Sequence, residues 1–92
     1  MAHGAVAAGK RYCPHYLGGG VSLLASLHEL AAPGGEVLLE FDCHPKVGRE
    51  AVVDTLLPVD NGRVPVPQTP GLGAVPDIEA LGRYKTWSGK TA

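Results

Sequence analysis

Hydrophobic residues recur at helical spacing most clearly between residues 20 and 32. This stretch opens after a run of three glycines and closes at Pro33-Gly34-Gly35, a sequence that stops a helix. The spacing predicts an amphipathic helix over residues 20–32 with one apolar side facing a core. The residues of that side are Val21, Leu23, Leu24, Leu27, Leu30 and Ala31.

Two short segments on either side of this helix have the character of strands. Residues 10–13 form a short run that ends at Pro14, and Val37-Leu38-Leu39 is an unbroken apolar triplet. An unbroken triplet favours a strand buried on both faces, as in a parallel sheet. The order strand, helix, strand predicts one right-handed βαβ unit with adjacent, parallel strands around 10–13 and 37–40. Before it, the alanine-rich residues 2–8 favour helix, with Gly9 just beyond the end.

The pattern becomes weaker after Asp42. Residues 49–56 predict two helical turns, and Asn61-Gly62 between apolar runs is a strong hairpin signal. Asp77 is predicted to cap a last short helix, and residues 87–92 form a polar tail. The expected organisation is one chain in two parts. Residues 1–42 hold helix, strand, helix and strand, and residues 43–92 hold the hairpin and the short helix.

Composition narrows the class of protein. The 13 glycines and 8 prolines among 92 residues argue for many turns and against a helical bundle. The net charge of −1 gives no electrostatic reason to expect nucleic acid or a membrane surface. We recognise no secretory leader, so the expected location is cytoplasmic, with Cys13 and Cys43 as free thiols.

The candidate chemistry lies where the first predicted strand gives way to the helix. His15 stands there, followed by Gly18, Gly19 and Gly20, and chemistry in α/β folds is placed at the carboxyl ends of strands. A plain turn histidine is the alternative. The glycine run suits close contact with a substrate carboxylate, tight packing, or a phosphate at a helix N-terminus, although the usual phosphate-loop pattern is missing.

A zinc site is a further alternative. Cys13, His15, Cys43 and His44 are residue types that bind zinc, but their spacing fits no standard finger.

Taken together, the motifs of the chain resemble the C-terminal part of the enolase superfamily, in the group of mandelate racemase, muconate lactonizing enzyme and the acid-sugar dehydratases. The resemblance covers nearly the whole chain. The motifs that carry it are Pro14-His15-Tyr16-Leu17-Gly18-Gly19-Gly20, Ala25-Ser26-Leu27-His28, Leu38-Leu39-Glu40, Asn61-Gly62-Arg63-Val64-Pro65-Val66-Pro67 and Pro70-Gly71-Leu72-Gly73.

The resemblance implies an α/β fold, the C-terminal portion of a modified (β/α)₇β TIM barrel. Residues 10–13 would be its seventh strand and residues 37–40 its eighth. Residues after Asp42 would return to a capping domain. The predicted fold is thus the last βαβ unit plus this cap-return segment.

The resemblance also implies roles for individual residues. His15 matches a general base that removes the proton α to a carboxylate, and Glu40 matches a carboxyl group that hydrogen-bonds the developing enediolate. Gly18 and Gly19 would contact substrate. The reaction would be racemisation or dehydration of a hydroxy or sugar acid, in an isomerase or lyase that is expected to be a homo-oligomer.

The same resemblance implies a Mg²⁺ cofactor held by three acidic residues, together with a catalytic lysine and an aspartate that pairs with the histidine. None of these can be placed in this sequence. We therefore expect a fragment of such an enzyme that is inactive by itself. The alternative is a non-catalytic remnant, or a subunit that folds only by docking onto a partner carrying the rest of the barrel.

Overall fold

The computed structural model describes residues 1–53 and 58–89, without the side chains of residues 52 and 53. Helix α1 spans Ala2–Ala7, α2 spans Gly20–Ala31, α3 spans Val47–Val53 and α4 spans Ile78–Leu81. A 3-10 turn over Gly82–Tyr84 follows α4 directly. Within the described ranges, no helix is long and apolar enough to cross a membrane.

Helix α2 provides most of the core. Its predicted extent is confirmed within one residue, and the chain leaves it through Gly34 and Gly35, which both have positive φ. Leu23 and Leu24 are almost completely buried. The core also contains Leu27 and Tyr16, and it is covered by Leu39, Val64, Val66, Leu72 and Ala74.

The buried side of α2 is rotated relative to the predicted stripe. Val21 is 46% exposed and Ala31 is also exposed, so both lie outside the core. Gly20, in contrast, is buried. The difference arises because the covering segments approach the side of α2 centred on Leu23, Leu24 and Leu27, and helical periodicity alone does not fix where a partner sits.

The two predicted strands meet at a single point. Tyr12 and Val37 form a parallel bridge, in which the Tyr12 amide donates to the Glu36 carbonyl at 3.3 Å and the Leu38 amide donates to the Tyr12 carbonyl at 3.1 Å. The prediction that Val37-Leu38-Leu39 is buried on both faces is wrong, because Leu38 is 54% exposed. The complete right-handed βαβ unit stays a prediction.

The second part of the chain follows the turn signals. Asp60 and Arg63 pair as an antiparallel bridge around Asn61 and Gly62, which both have positive φ, so the predicted turn is confirmed, whereas residues 58–59 and 64–66 do not extend it into strands. The Asp77 side chain accepts a hydrogen bond from the Ala80 amide at 2.9 Å and caps α4 as predicted. Helix α3 begins two residues before the predicted start. Residues 54–56 of that prediction lie outside the described residues.

Candidate functional site

His15 and Glu40 form the centre of the candidate site. His15 follows the bridge residue Tyr12, and Glu40 follows the bridge residue Val37. Because the two segments run parallel, both side chains come out at the same end. The His15 Nδ1 atom lies 3.0 Å from Glu40 Oε2 and 3.2 Å from Oε1. The predicted proximity is confirmed, and the catalytic roles stay predictions.

The two side chains differ in exposure. The His15 side chain is 80% exposed and that of Glu40 is 40% exposed. Only Nδ1 of the imidazole makes a hydrogen bond with the described part of the chain. The Nε2 atom is therefore available to a molecule from solvent.

Tyr16 anchors this pair to the core. Its backbone amide donates a hydrogen bond of 2.6 Å to Glu40 Oε2, while its ring is buried. The Tyr16 hydroxyl donates to the Gly19 carbonyl, which closes the turn that leads into α2. This contact of Tyr16 was not predicted, because a hydrogen bond made by a backbone amide leaves no signal in residue type.

The predicted substrate glycines lie beside this anchor. Gly19 has extended backbone angles as the N-cap of α2, and its carbonyl also accepts hydrogen bonds from the Ser22 hydroxyl and the Leu23 amide. A Cβ on Gly18 would lie 3.0 Å from the Ser22 Oγ. Both positions are thus engaged in the turn, and their contact with substrate stays a prediction.

A second polar cluster follows Glu40. The Asp42 side chain is 9% exposed and lies 2.6 Å from the Lys46 Nζ, and its Oδ1 accepts from the His44 backbone amide and imidazole Nδ1 at 2.9 Å each. The hydrogen bonds from Lys46 first, and from His44 next, hold the pKa of the Asp42 carboxyl well below its usual range, with the Lys46 charge adding to the effect.

Arg49 fixes the same segment from α3. It is a buried charged residue whose guanidinium donates to the carbonyls of Asp42 and His44 and stacks on the Phe41 ring, 5.3 Å from its centre. This contact could not be predicted from residue type, because a single arginine on a short helix is ordinarily exposed.

Tyr12 ties the bridge to α2. Its hydroxyl donates to the Glu29 carboxylate at 2.8 Å. This hydrogen bond, with smaller effects of burial and of the Glu29 charge, raises the pKa of Tyr12. The contact orients α2 against the segment that leads to His15.

The metal alternatives do not match the geometry. Asp42, Cys43 and His44 have ligand atoms within 4.8 Å of one another, and no other such group occurs in residues 1–53 and 58–89. The zinc alternative is therefore not supported, because Cys13 and His15 do not join Cys43 and His44. Both cysteines are exposed free thiols, as predicted.

The same cluster does not suit the Mg²⁺ that the resemblance implies. Mg²⁺ requires an octahedral set of oxygen ligands. The cluster offers one carboxylate, already bound to Lys46, beside a thiol and an imidazole. The described residues thus do not fit the ion.

Comparison with known proteins gives two results. The family described as "Enolase C-terminal domain-like" matches residues 1–81. Over 60 residues the chain is 37% identical to arabinonate dehydratase of Saccharolobus solfataricus. That alignment covers 65% of this chain and 16% of the relative, so the chain spans a small part of that enzyme's length. No solved structure matches the chain.

The enolase-superfamily resemblance that the motifs indicated is thus shown by a match that includes His15, the glycine run and Glu40. The chain therefore belongs to the enolase C-terminal domain-like family, whose members have a TIM-barrel-related α/β fold.

Proposed function

We propose that this chain is the C-terminal part of an acid-sugar dehydratase or racemase of the mandelate racemase group, with His15 as the base that removes the proton α to a carboxylate. The observation that carries the proposal is the His15–Glu40 pair at the end of two parallel segments. The similarity to arabinonate dehydratase supports a sugar acid as the class of substrate.

The geometry suits proton transfer. A histidine whose Nδ1 is bound to a carboxylate presents Nε2 as the basic atom, and an imidazole titrates near neutral pH in its ordinary state. The exposed His15 ring could reach a substrate that enters from solvent. Glu40 would hydrogen-bond the developing enediolate, as the resemblance implies.

The remaining catalytic groups would come from outside this chain. In the superfamily, Mg²⁺ stabilises the enediolate that forms after proton loss. The described residues do not fit that ion. We therefore assign to this chain only the proton transfer at His15.

A chimera tests the proposal. The aligned segment of the Saccharolobus enzyme is replaced by this chain, and sugar-acid dehydration is measured. We expect activity, and a loss of about 100-fold or more on His15→Asn. The matched control is His3→Asn, on the exposed surface of α1, which should leave the rate unchanged. An active chimera that tolerates His15→Asn would contradict the proposal.

The alternative function is a non-catalytic subunit that docks onto a partner carrying the rest of a barrel. A specific feature favours it. An open cleft of about 690 Å³ lies between the 37–41 segment and the 59–66 hairpin. It is lined by Leu38, Phe41 and Val59, which are exposed apolar residues. The proposed occupant is a polypeptide with the preceding strands of an enolase-superfamily barrel.

Co-expression tests whether the cleft is a docking surface for the rest of a barrel. The Saccharolobus enzyme, shortened to end before its aligned segment, is produced together with this chain, and the complex is measured by size-exclusion chromatography. We expect Leu38→Glu to abolish the complex. Val75→Glu, at a position that is 92% exposed and outside the cleft, should leave it intact. Equal effects of both changes would exclude the cleft as the docking surface.

A further inference from the structure

We propose that Asp42, Cys43 and His44 form a binding site for one Zn²⁺ ion or another divalent cation of similar softness. The ion is held by the Cys43 thiolate, a ring nitrogen of His44 and a carboxylate oxygen of Asp42, and its fourth position is open to water. The site goes beyond the proposed function, because none of the three residues takes part in the proton transfer assigned to His15.

The ligand atoms of the three residues are already grouped. They lie within 4.8 Å of one another. A tetrahedral zinc ion with sulfur, nitrogen and oxygen ligands at about 2.0–2.3 Å separates those ligands by roughly 3.3–3.6 Å. The His44 Nδ1 and Asp42 Oδ1 atoms are 2.9 Å apart, and the His44 side chain is 82% exposed. A small movement of this exposed ring therefore makes room for the ion.

The donor set selects the kind of cation. Thiolate and imidazole are the usual ligands of zinc, whereas Mg²⁺ and Ca²⁺ prefer oxygen ligands alone. The set also differs from the zinc alternative considered from the sequence, because Cys13 and His15 have no part in it and Asp42 supplies the third ligand. The cluster is thus suited to a borderline-soft ion and not to the hard ion of the superfamily.

Arg49 holds the backbone on both sides of Cys43. Its buried guanidinium donates hydrogen bonds to the carbonyls of Asp42 and His44, and it stacks on the Phe41 ring. The ligand segment is therefore ordered before any ion binds. A site that is ordered in advance binds more tightly, because less conformational entropy is lost on binding.

Lys46 is a competing cation at this site. Its Nζ atom lies 2.6 Å from Asp42 Oδ2, while Oδ1 faces His44. The incoming ion replaces the hydrogen bond between His44 and Oδ1, and the Cys43 thiol releases its proton to solvent. The Lys46 charge repels the ion, so its removal should strengthen binding.

Cobalt titration of the full 92-residue chain, kept reduced with a phosphine, tests the proposal. Co²⁺ replaces Zn²⁺ as the probe, because a cobalt–thiolate bond gives a charge-transfer absorption band. We expect one Co²⁺ per chain with this band, and its loss when Zn²⁺ displaces the cobalt. A wild-type chain that shows no such band in excess cobalt overturns the proposal without any variant.

Variants of the cysteines and of His44 locate the site. Cys43→Ser should abolish the band, whereas the matched control Cys13→Ser, which removes the other exposed free thiol, should retain it. His44→Ala should weaken cobalt binding by about 100-fold or more, since loss of a residue that only supports a ligand already costs about 10–100-fold. A band that persists in Cys43→Ser, or equal affinity in His44→Ala, overturns the proposal.

A change at Lys46 tests the contribution of Asp42. Lys46→Met should tighten cobalt binding by about tenfold, because it removes a positive charge beside the ligand carboxylate. Unchanged or weaker binding in this variant would overturn the assignment of Asp42 as the third ligand. The titrations do not depend on catalysis, so a chimera without activity would contradict the proposed function and leave these results untouched.

Discussion

Asp42 shows how a few contacts can fix the charge of a single residue. Its carboxylate is nearly covered and is bound by Lys46 and by His44. Its folded-state pKa lies below the unfolded value of about 3.9, so the fold favours the ionised form. The resulting stabilisation is present above that unfolded pKa and is lost as the pH falls through the folded pKa.

We therefore expect Asp42→Asn to lower the thermal midpoint at neutral pH and to have a smaller effect as the solution is acidified. Thermal unfolding followed by circular dichroism across this pH range measures the difference. Glu79→Gln is the matched control, because Glu79 is exposed and the described contacts give it no ion pair. A difference between Asp42→Asn and wild type that grows towards acid pH would contradict the role of the ionised carboxylate.

The residues of the site were predictable to different degrees. His15 and Glu40 could be paired from sequence, because each follows a segment predicted to be a strand and parallel segments end at the same side. The contacts of the Tyr16 amide and of the buried Arg49 could not be predicted from sequence. Their contacts depend on how the turn and α3 are placed in three dimensions, which residue type does not encode.

At the scale of elements, α2 shows both the strength and the limit of periodicity. Its ends were predicted within one residue, because the glycine and proline signals on both sides are local. Its buried side was predicted in part: four leucines of the stripe are buried, whereas Val21 and Ala31 are exposed, because the neighbours that cover α2 come from residues 39 and 64–74. The prediction placed Val21 and Leu24 on one face, whereas the fold separates them.

We expect Leu24→Ala to lower the free energy of unfolding by about 2–5 kcal/mol, since it leaves a cavity at a position that is 1% exposed. Val21→Ala removes atoms from the exposed side of α2 and should change the free energy of unfolding by no more than about 0.5 kcal/mol. Urea unfolding followed by circular dichroism measures both. Equal losses in the two variants would show that α2 packs through the originally predicted stripe.

The turn after α2 contains two glycines whose substitutions by alanine can be compared. Gly34 and Gly35 both have positive φ, so alanine at either position is strained by about 1–2 kcal/mol. A Cβ on Gly34 would meet open space, whereas one on Gly35 would lie 2.8 Å from Val6 Cγ1 of α1.

We therefore expect Gly35→Ala to be less stable than Gly34→Ala by about 1–3 kcal/mol, because of overpacking. Urea denaturation of both variants and of the double variant Val6→Ala/Gly35→Ala measures this. The double variant should return to the level of Gly34→Ala. If removing the Val6 methyl groups gives no recovery, the contact between α1 and this turn is not the cause.

At the scale of the whole molecule, we expect the 92-residue chain alone to show no exchange of the α-proton of hydroxy or sugar acids. Proton removal from such a weak acid needs stabilisation of the enediolate charge, and the described residues do not fit the Mg²⁺ that would provide it. Deuterium incorporation into arabinonate, with and without Mg²⁺, measures this. Incorporation that depends on the ion and disappears in His15→Asn would refute the expectation.

The predicted strands illustrate why local signals do not determine the whole. The apolar triplet at 37–39 favours a strand with neighbours on both faces. In the described residues it meets one neighbour, at Tyr12, and Leu38 remains half exposed. The family match explains the pattern, since a strand of a TIM barrel has one face in the packed interior of the barrel and the other against the surrounding helices. Sequence therefore predicts the environment for which a segment is suited, whereas this chain supplies only part of that environment.

The adjacency of His15 and Tyr16 has a consequence for how this site can evolve. The His15 side chain is 80% exposed, while Tyr16, the next residue along the chain, is buried in the core. Replacing an exposed side chain usually changes stability by no more than about 0.5 kcal/mol. Mutation can therefore exchange the side chain at position 15 with little cost to folding, while selection for a stable core at position 16 keeps that position in the same place.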